Sequence, residues 1–139
     1  MVNDAGNTSN ASLVRQSWIK NDGIMDEKLK PVSDILFESI GIPEGRKFLD
    51  IGCGAGSTTI RLGGLVSSGA SVTGIDISEP MVSFAKEKAK AIENVEFVLG
   101  NAQTYEFGPD RFDGAMSVSY THLRAHETDS YLVCRLLLE

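Results

Sequence analysis

Cysteine, histidine, basic charge and long apolar runs are all scarce in this chain, and each shortage closes a class of explanation. Two cysteines among 139 residues, Cys53 and Cys134, build neither a disulfide framework nor a metal set. No apolar run approaches the roughly 18 residues that a membrane-crossing helix needs. No charged start leads into an apolar segment, so the sequence predicts neither a signal peptide nor a membrane span, and a cytoplasmic protein. Thirteen Lys and Arg stand against nineteen Asp and Glu, for a net charge of -6 at pH 7. That balance, without a long basic run, speaks against a nucleic-acid partner bound by phosphate neutralisation. What remains is one soluble globular domain, or part of one, with 42% apolar residues and enough length to bury a core.

The first ten residues, MVNDAGNTSN, are small and polar and read as a frayed terminus, with residues 1–11 expected to lack structure. Trp18 and Ile19 follow on a short amphipathic piece. Residues 26–42 place Leu29, Val32, Ile35, Leu36 and Ile40 at helical intervals, with Pro31 near the start and Gly41 as a stop. Ile42, Pro43, Glu44 and Gly45 then form a turn into an apolar strand over 47–51. Beyond it the pattern alternates: a helix over 57–66, a strand over 71–76, a helix over 79–92, a strand over 95–99, a polar loop through Gly108, Pro109 and Asp110, and a strand over 112–118. Ser78 suits the cap of the 79–92 helix and Pro80 its first turn, while Met81, Phe84, Ala85, Ala89 and Ile92 line one face. Strands separated by helices of this length predict right-handed βαβ units. The fold class is α/β, a Rossmann-like doubly wound parallel sheet of about four strands with N-terminal helices, whose ligand crevice lies beyond the carboxyl ends of the strands.

At one such end the chain reads DIGCGAG, placing Gly52, Gly54 and Gly56 at alternate positions before a helix. A strand that ends in glycines and opens a helix gathers free backbone N–H groups and a positive helix end, and the missing Cβ atoms let a ligand touch the main chain. The dinucleotide pattern requires a third glycine where Ser57 stands, and the triphosphate loop requires a Gly-Lys-Ser/Thr that is absent. Asp50 precedes the glycines. A carboxylate there repels a pyrophosphate but suits an ammonium or sulfonium group. Twenty residues after Gly56 the next strand ends at Asp76, placed to accept both hydroxyls of an adenosine ribose. The two acids together point to an adenosine compound without phosphates.

The stretches FLDIGCGAG, VTGIDIS, VEFVLGNAQTYEF and RFDGAMS resemble the successive motifs of class I S-adenosylmethionine-dependent methyltransferases, closest to the small-molecule branch with the ubiquinone and menaquinone enzymes. The likeness covers residues 12–117. It implies S-adenosyl-L-methionine as cofactor and methyl transfer to a small-molecule substrate. By that resemblance Asp50 and the backbone at Gly52 and Gly54 hold the methionine end, Asp76 binds the ribose, Ile77 and Met81 flank the adenine, and Asn101 with Ala102 meets the adenine edge. Many relatives carry Asp where Asn101 stands, and Asn keeps an acceptor oxygen. Gly56 and Cys53 complete the turn, with Cys53 most simply a small residue in a crowded place. Ser117, at the end of the fourth strand, faces where substrate sits in this family. Residues 1–117 offer no candidate general base and no metal set.

After Ser117 the chain departs from the family. Residues 118–139, VSYTHLRAHETDSYLVCRLLLE, resemble a translated sequencing adapter, with 129–131 where a variable index lies. They are expected to be a non-native tail on a domain truncated after its fourth strand, so His122, His126 and Cys134 receive no role. The apolar end, 131–138, is expected to fold as a helix against the sheet edge. Two other readings stay open: a half-domain that holds S-adenosylmethionine or S-adenosylhomocysteine without catalysis, and an NAD-type Rossmann fragment.

Overall fold

The computed structural model describes residues 5–41, 46–109, 111–118 and 133–135. Its elements run α1 (Ala5–Ile40), β1 (Lys47–Ile51), α2 (Ser57–Leu65), β2 (Ser71–Asp76), α3 (Glu79–Lys88), β3 (Val95–Leu99), β4 (Gly114–Ser117) and β5 (Val133–Arg135). They form one sheet in the order β3-β2-β1-β4-β5. The first four strands are parallel, and β5 pairs antiparallel with β4. After running outward through β1, β2 and β3, the chain crosses back to lay β4 on the other side of β1. The order therefore reverses between β1 and β4, which is where such sheets open a crevice.

Alternation puts Phe48, Val72, Val95, Phe97 and Met116 on one face of the sheet. That face is covered by helices. One cluster joins Phe48, Val72 and Met116 to Leu36 and Phe37 of α1 and Leu62 of α2. A second joins Val95 and Phe97 to Cys53 and to Val82 and Ala85 of α3. On the other side of the sheet, a Cβ on Gly100 would meet the Tyr105 ring and Ile75. From there Tyr105, Phe107 and Phe112 pack in sequence, the first pair tilted and the second edge to face, with centroids 4.5 and 5.1 Å apart. No helix among the described residues is long and apolar enough to cross a membrane.

Several expectations need correction. The helix begins at Ala5, inside the stretch expected to be frayed, and runs unbroken through Pro31 to Ile40. Propagation from the amphipathic segment adds a hydrogen bond for each residue fixed, and the helix continues past Pro31 although that residue donates none. Ile35, expected inside, is 59% exposed, and the inward face carries Ser33, Leu36 and Phe37 instead. In α3, Val82 takes the buried place expected of Phe84, and the helix ends at Lys88 rather than residue 92. Ser78 stands at its N-cap without a side-chain cap bond. Phe112 belongs to this aromatic cluster, and β4 begins at Gly114. The helix expected over 131–138 is contradicted by strand β5, because the edge of β4 offers unpaired main-chain groups that a following segment can satisfy. The turn at 42–45, Asp110, the side chains of Trp18 and Ile19, and His122 and His126 lie outside the described residues.

The glycines of the β1–α2 turn all adopt positive φ: +70° at Gly52, +54° at Gly54 and +83° at Gly56. Their surroundings differ. A Cβ on Gly52 meets nothing within 4 Å, whereas one on Gly56 would lie 2.5 Å from Phe97 Cζ and 2.9 Å from Ala85 Cβ. Gly56→Ala is therefore expected to destabilise the fold by about 3 kcal/mol or more, combining left-handed strain with overpacking, and Gly52→Ala by only about 1 kcal/mol. Urea unfolding of the two variants measures the difference; equal losses would show that Phe97 yields freely.

Candidate functional site

β1 and β2 end side by side, and the turn after β1 is stitched to the end of β2. The Gly52 and Cys53 amides both donate to the Ile75 carbonyl, at 2.8 and 3.1 Å. The Gly54 amide donates to Asp76 Oδ2 at 2.9 Å, and the Ser78 amide donates to Asp76 Oδ1 at 2.8 Å. The Gly56 amide donates to the Cys53 carbonyl at 2.9 Å. The expectation of free N–H groups along the glycine turn is thus corrected: the amides of these four residues are committed to protein acceptors.

Asp50 sits beneath this turn, on the helix-covered face of β1, only 1% exposed. The Thr59 hydroxyl, itself fully buried in the first turn of α2, donates to Asp50 Oδ2 at 2.7 Å. Burial pushes the Asp50 carboxyl up to about 7; the Thr59 bond opposes the rise and the charge of Asp76 adds to it. Cys53 is buried beside them. Burial, and behind it the charges of Asp50 and Asp76, push its thiol far above the ordinary range, so it stays neutral and serves packing.

The other candidates gather at the same end of the sheet. Met81 is 6% exposed, and its Cε lies 3.6 Å from where a Cβ on Gly54 would stand. Ile77, following Asp76, is 69% exposed. The Gly100 amide donates to the Asp76 carbonyl at 3.0 Å, which brings the loop after β3 against the end of β2. In that loop Asn101 is exposed and its Oδ1 accepts the Gln103 amide at 2.9 Å, while Ala102 is half-buried. The Ser117 hydroxyl donates to the Ile51 carbonyl at 2.9 Å, so β4 delivers it to the end of β1 at the point where the strand order reverses. Sequence reasoning missed Thr59. Its signal was a threonine pair, weak helix formers, in the first turn of a helix that follows a buried acid.

The model of the methyltransferase-domain family matches residues 48–135, from β1 through β5. The chain belongs to that family. The match extends past residue 117 into the segment read from sequence as a tail. Among curated relatives, the demethylmenaquinone methyltransferase of Staphylococcus aureus is 40% identical over 93 residues, covering 67% of this chain and 39% of the relative. Among solved structures, the cyclase SpnF matches with 26% identity and a TM-score of 0.55 over 61% of this chain and 32% of that one. Phosphoethanolamine N-methyltransferase 2 of Haemonchus contortus, in complex with phosphomonomethylethanolamine and S-adenosylhomocysteine, matches with 28% identity and a TM-score of 0.56 over 63% of this chain and 20% of that one. This methyltransferase domain thus spans less than half the length of these relatives.

The carboxyl of Asp50 yields a prediction with a definite sign. Its folded pKa of about 7 stands above the unfolded value, so between about 4 and about 7 the folded state holds a proton that the unfolded state has released. Stability from this group is therefore lost as pH rises through that window. Asp50→Asn, which stays neutral and can still accept from Thr59, is expected to gain on the wild type by a few kcal/mol, on the order of the full linkage, between pH 4 and 7.5. Urea unfolding of both proteins across that range is the check; a constant difference would mean that Asp50 titrates normally.

Proposed function

We propose that this chain binds S-adenosyl-L-methionine at the carboxyl ends of β1 and β2, as the cofactor half of an enzyme that methylates a small-molecule acceptor in the cytoplasm. The observation that carries the reading is the pairing of two acids with a glycine turn whose Gly52, Cys53, Gly54 and Gly56 amides are already occupied. Asp50 lies under the turn and Asp76 bonds its backbone. Such a site recognises a ligand by what the ligand donates, an ammonium group and hydroxyls, and not by the oxygens of a phosphate.

The residues present fit that cofactor. Each carboxylate oxygen of Asp76 accepts one backbone amide and keeps a further lone pair for a ribose hydroxyl. Exposed Ile77 offers an apolar surface for one face of an adenine, and Met81 backs the turn from the other side. Asn101 Oδ1, which accepts the Gln103 amide, keeps a further lone pair for the adenine amino group, with Ala102 beside it. Open space over Gly52 leaves the main chain approachable, with Gly54, Cys53 and Gly56 shaping the turn. Asp50 faces the ammonium group, and Ser117 marks where the acceptor enters beside β4. The cofactor, when bound, supplies an activated methyl group; the chain's residues bind it, orient it and keep the turn dry.

All of these residues lie within 12–117, which we take as the domain that carries the site, with 118–139 contributing none of them. The names of the Staphylococcus aureus and Haemonchus contortus relatives support a small-molecule acceptor. The cyclase among the structural neighbours shows that the fold serves other chemistry, so activity needs its own test.

Calorimetric titration of the full chain is expected to show binding of S-adenosylhomocysteine and none of NAD. Asp76→Ala should weaken that binding by about 1 to 3 kcal/mol through loss of charge-assisted hydrogen bonds to the ribose. Binding of NAD in place of S-adenosylhomocysteine would overturn the reading, and unchanged affinity in Asp76→Ala would remove that residue from it.

A further inference from the structure

Three helices meet at one polar cluster beside the glycine turn. Lys88, in the last turn of α3, donates from Nζ to Asp22 Oδ2 of α1 at 2.8 Å and to Ser57 Oγ of α2 at 3.0 Å. The Ser57 hydroxyl lies a long 3.5 Å from Asp22 Oδ1. Lys88 and Asp22 are only 23% and 20% exposed, and the ammonium group also stands 5.4 Å from the centroid of the Phe84 ring. Ser57 directly follows Gly56 and is the first residue of α2.

Between α1 and α2 the packing is not flush. A cavity of about 330 Å³ lies there, lined among others by Asp26, Leu29, Lys30, Ser33, Ile60 and Lys88. Polar ties flank it. On one side Arg61, from the body of α2, pairs with Asp34, donates to the Lys30 carbonyl and lies over Phe37. On the other side is the Lys88 cluster, which grips α2 at its start and not along its body. Among the described residues, Ser57 is the one position adjoining the glycine turn whose side chain is tied to α1.

We propose that Lys88 is a positioning residue: by tying Asp22 of α1 to Ser57, it holds the glycine turn in its binding conformation and couples the docking of α1 to ligand binding. The turn is pinned from the β2 side by Ile75 and Asp76, and Lys88 supplies the opposing restraint from the helix side. Removing the charge while keeping the aliphatic stem leaves α1 and α2 separated by the cavity at this end, with only the long Ser57–Asp22 contact between them.

Hydrogen exchange of the full chain tests the restraint without any ligand. In Lys88→Met, exchange is expected to quicken both at residues 52–60 and around Asp22, and Lys88→Arg is expected to restore protection. Lys90→Met is the control, since Lys90 pairs with Glu87 on the surface at 72% and 70% exposure, and it should change neither region. Asp22→Asn should reproduce the Lys88→Met pattern if that variant fails to fold. Unchanged exchange at 52–60, or quickening confined to α1, overturns the proposal. The ligand arm rests on the S-adenosylmethionine reading: affinity for S-adenosylhomocysteine should fall about tenfold in Lys88→Met, a coupling of ordinary size. Faster exchange with unaltered affinity also overturns the positioning role. Absence of binding by the wild-type chain, with the exchange pattern as expected, would sink the cofactor reading and leave the restraint standing.

Discussion

The hydrogen bond from Thr59 to Asp50 is the contact on which the arrangement of the site depends. It joins the last buried residue of β1 to the first turn of α2 across the glycine loop, so the loop has little freedom in how it spans them. A carboxyl that is 1% exposed with a single donor among the described residues is an uncomfortable group to bury, and the physical result is a raised affinity for a proton. An apolar residue there would pack at less cost. Keeping an acid at that place makes sense where a positive group comes to neutralise it.

Around that bond the glycines divide into two kinds. Gly52 and Gly54 are needed for their left-handed backbone, since little or nothing crowds a Cβ at either position. Gly74 is needed because Phe97 fills the space where a side chain would go, and Gly56 on both counts, with φ +83° and Phe97 Cζ 2.5 Å from its Cβ position. The glycine pattern thus marks both a backbone need and the close approach of a core aromatic. Pattern matching alone cannot separate the two. The position of Phe97, reached through the register Gly74↔Phe97, does so.

Much of this was legible in sequence where local signals and global packing agree. β2 and β3 fall where alternating apolar runs bounded by turn residues put them, and the acids at strand ends follow from those runs. Legibility failed where tertiary contacts decide. Ile35 fits the helical spacing as well as Phe37 does, and only the position of β1 and α2 selects Phe37 for the core. The strand at 133–135 depends on a vacant edge that no local pattern announces. The clasp at Lys88 joins residues 22, 57 and 88, whose sequence separation hides the relation entirely.

The committed amides bear most directly on the class of ligand. In a pyrophosphate-binding turn the backbone donors at the head of the helix point at the ligand, and its negative charge is welcome. Here the amides of Gly52, Cys53, Gly54 and Gly56 bond to Ile75, Asp76 and Cys53, so none of these four is held in reserve for a ligand. A phosphate drawing on the Gly54 amide would have to break its bond to Asp76 and would then face that carboxylate. A ligand that brings its own donors and positive charge meets neither obstacle. In the proposed S-adenosylmethionine site, the bond that occupies the Gly54 amide also fixes Asp76 and leaves each of its oxygens a further lone pair, so a single contact would both disfavour a phosphate at Gly54 and receive a ribose.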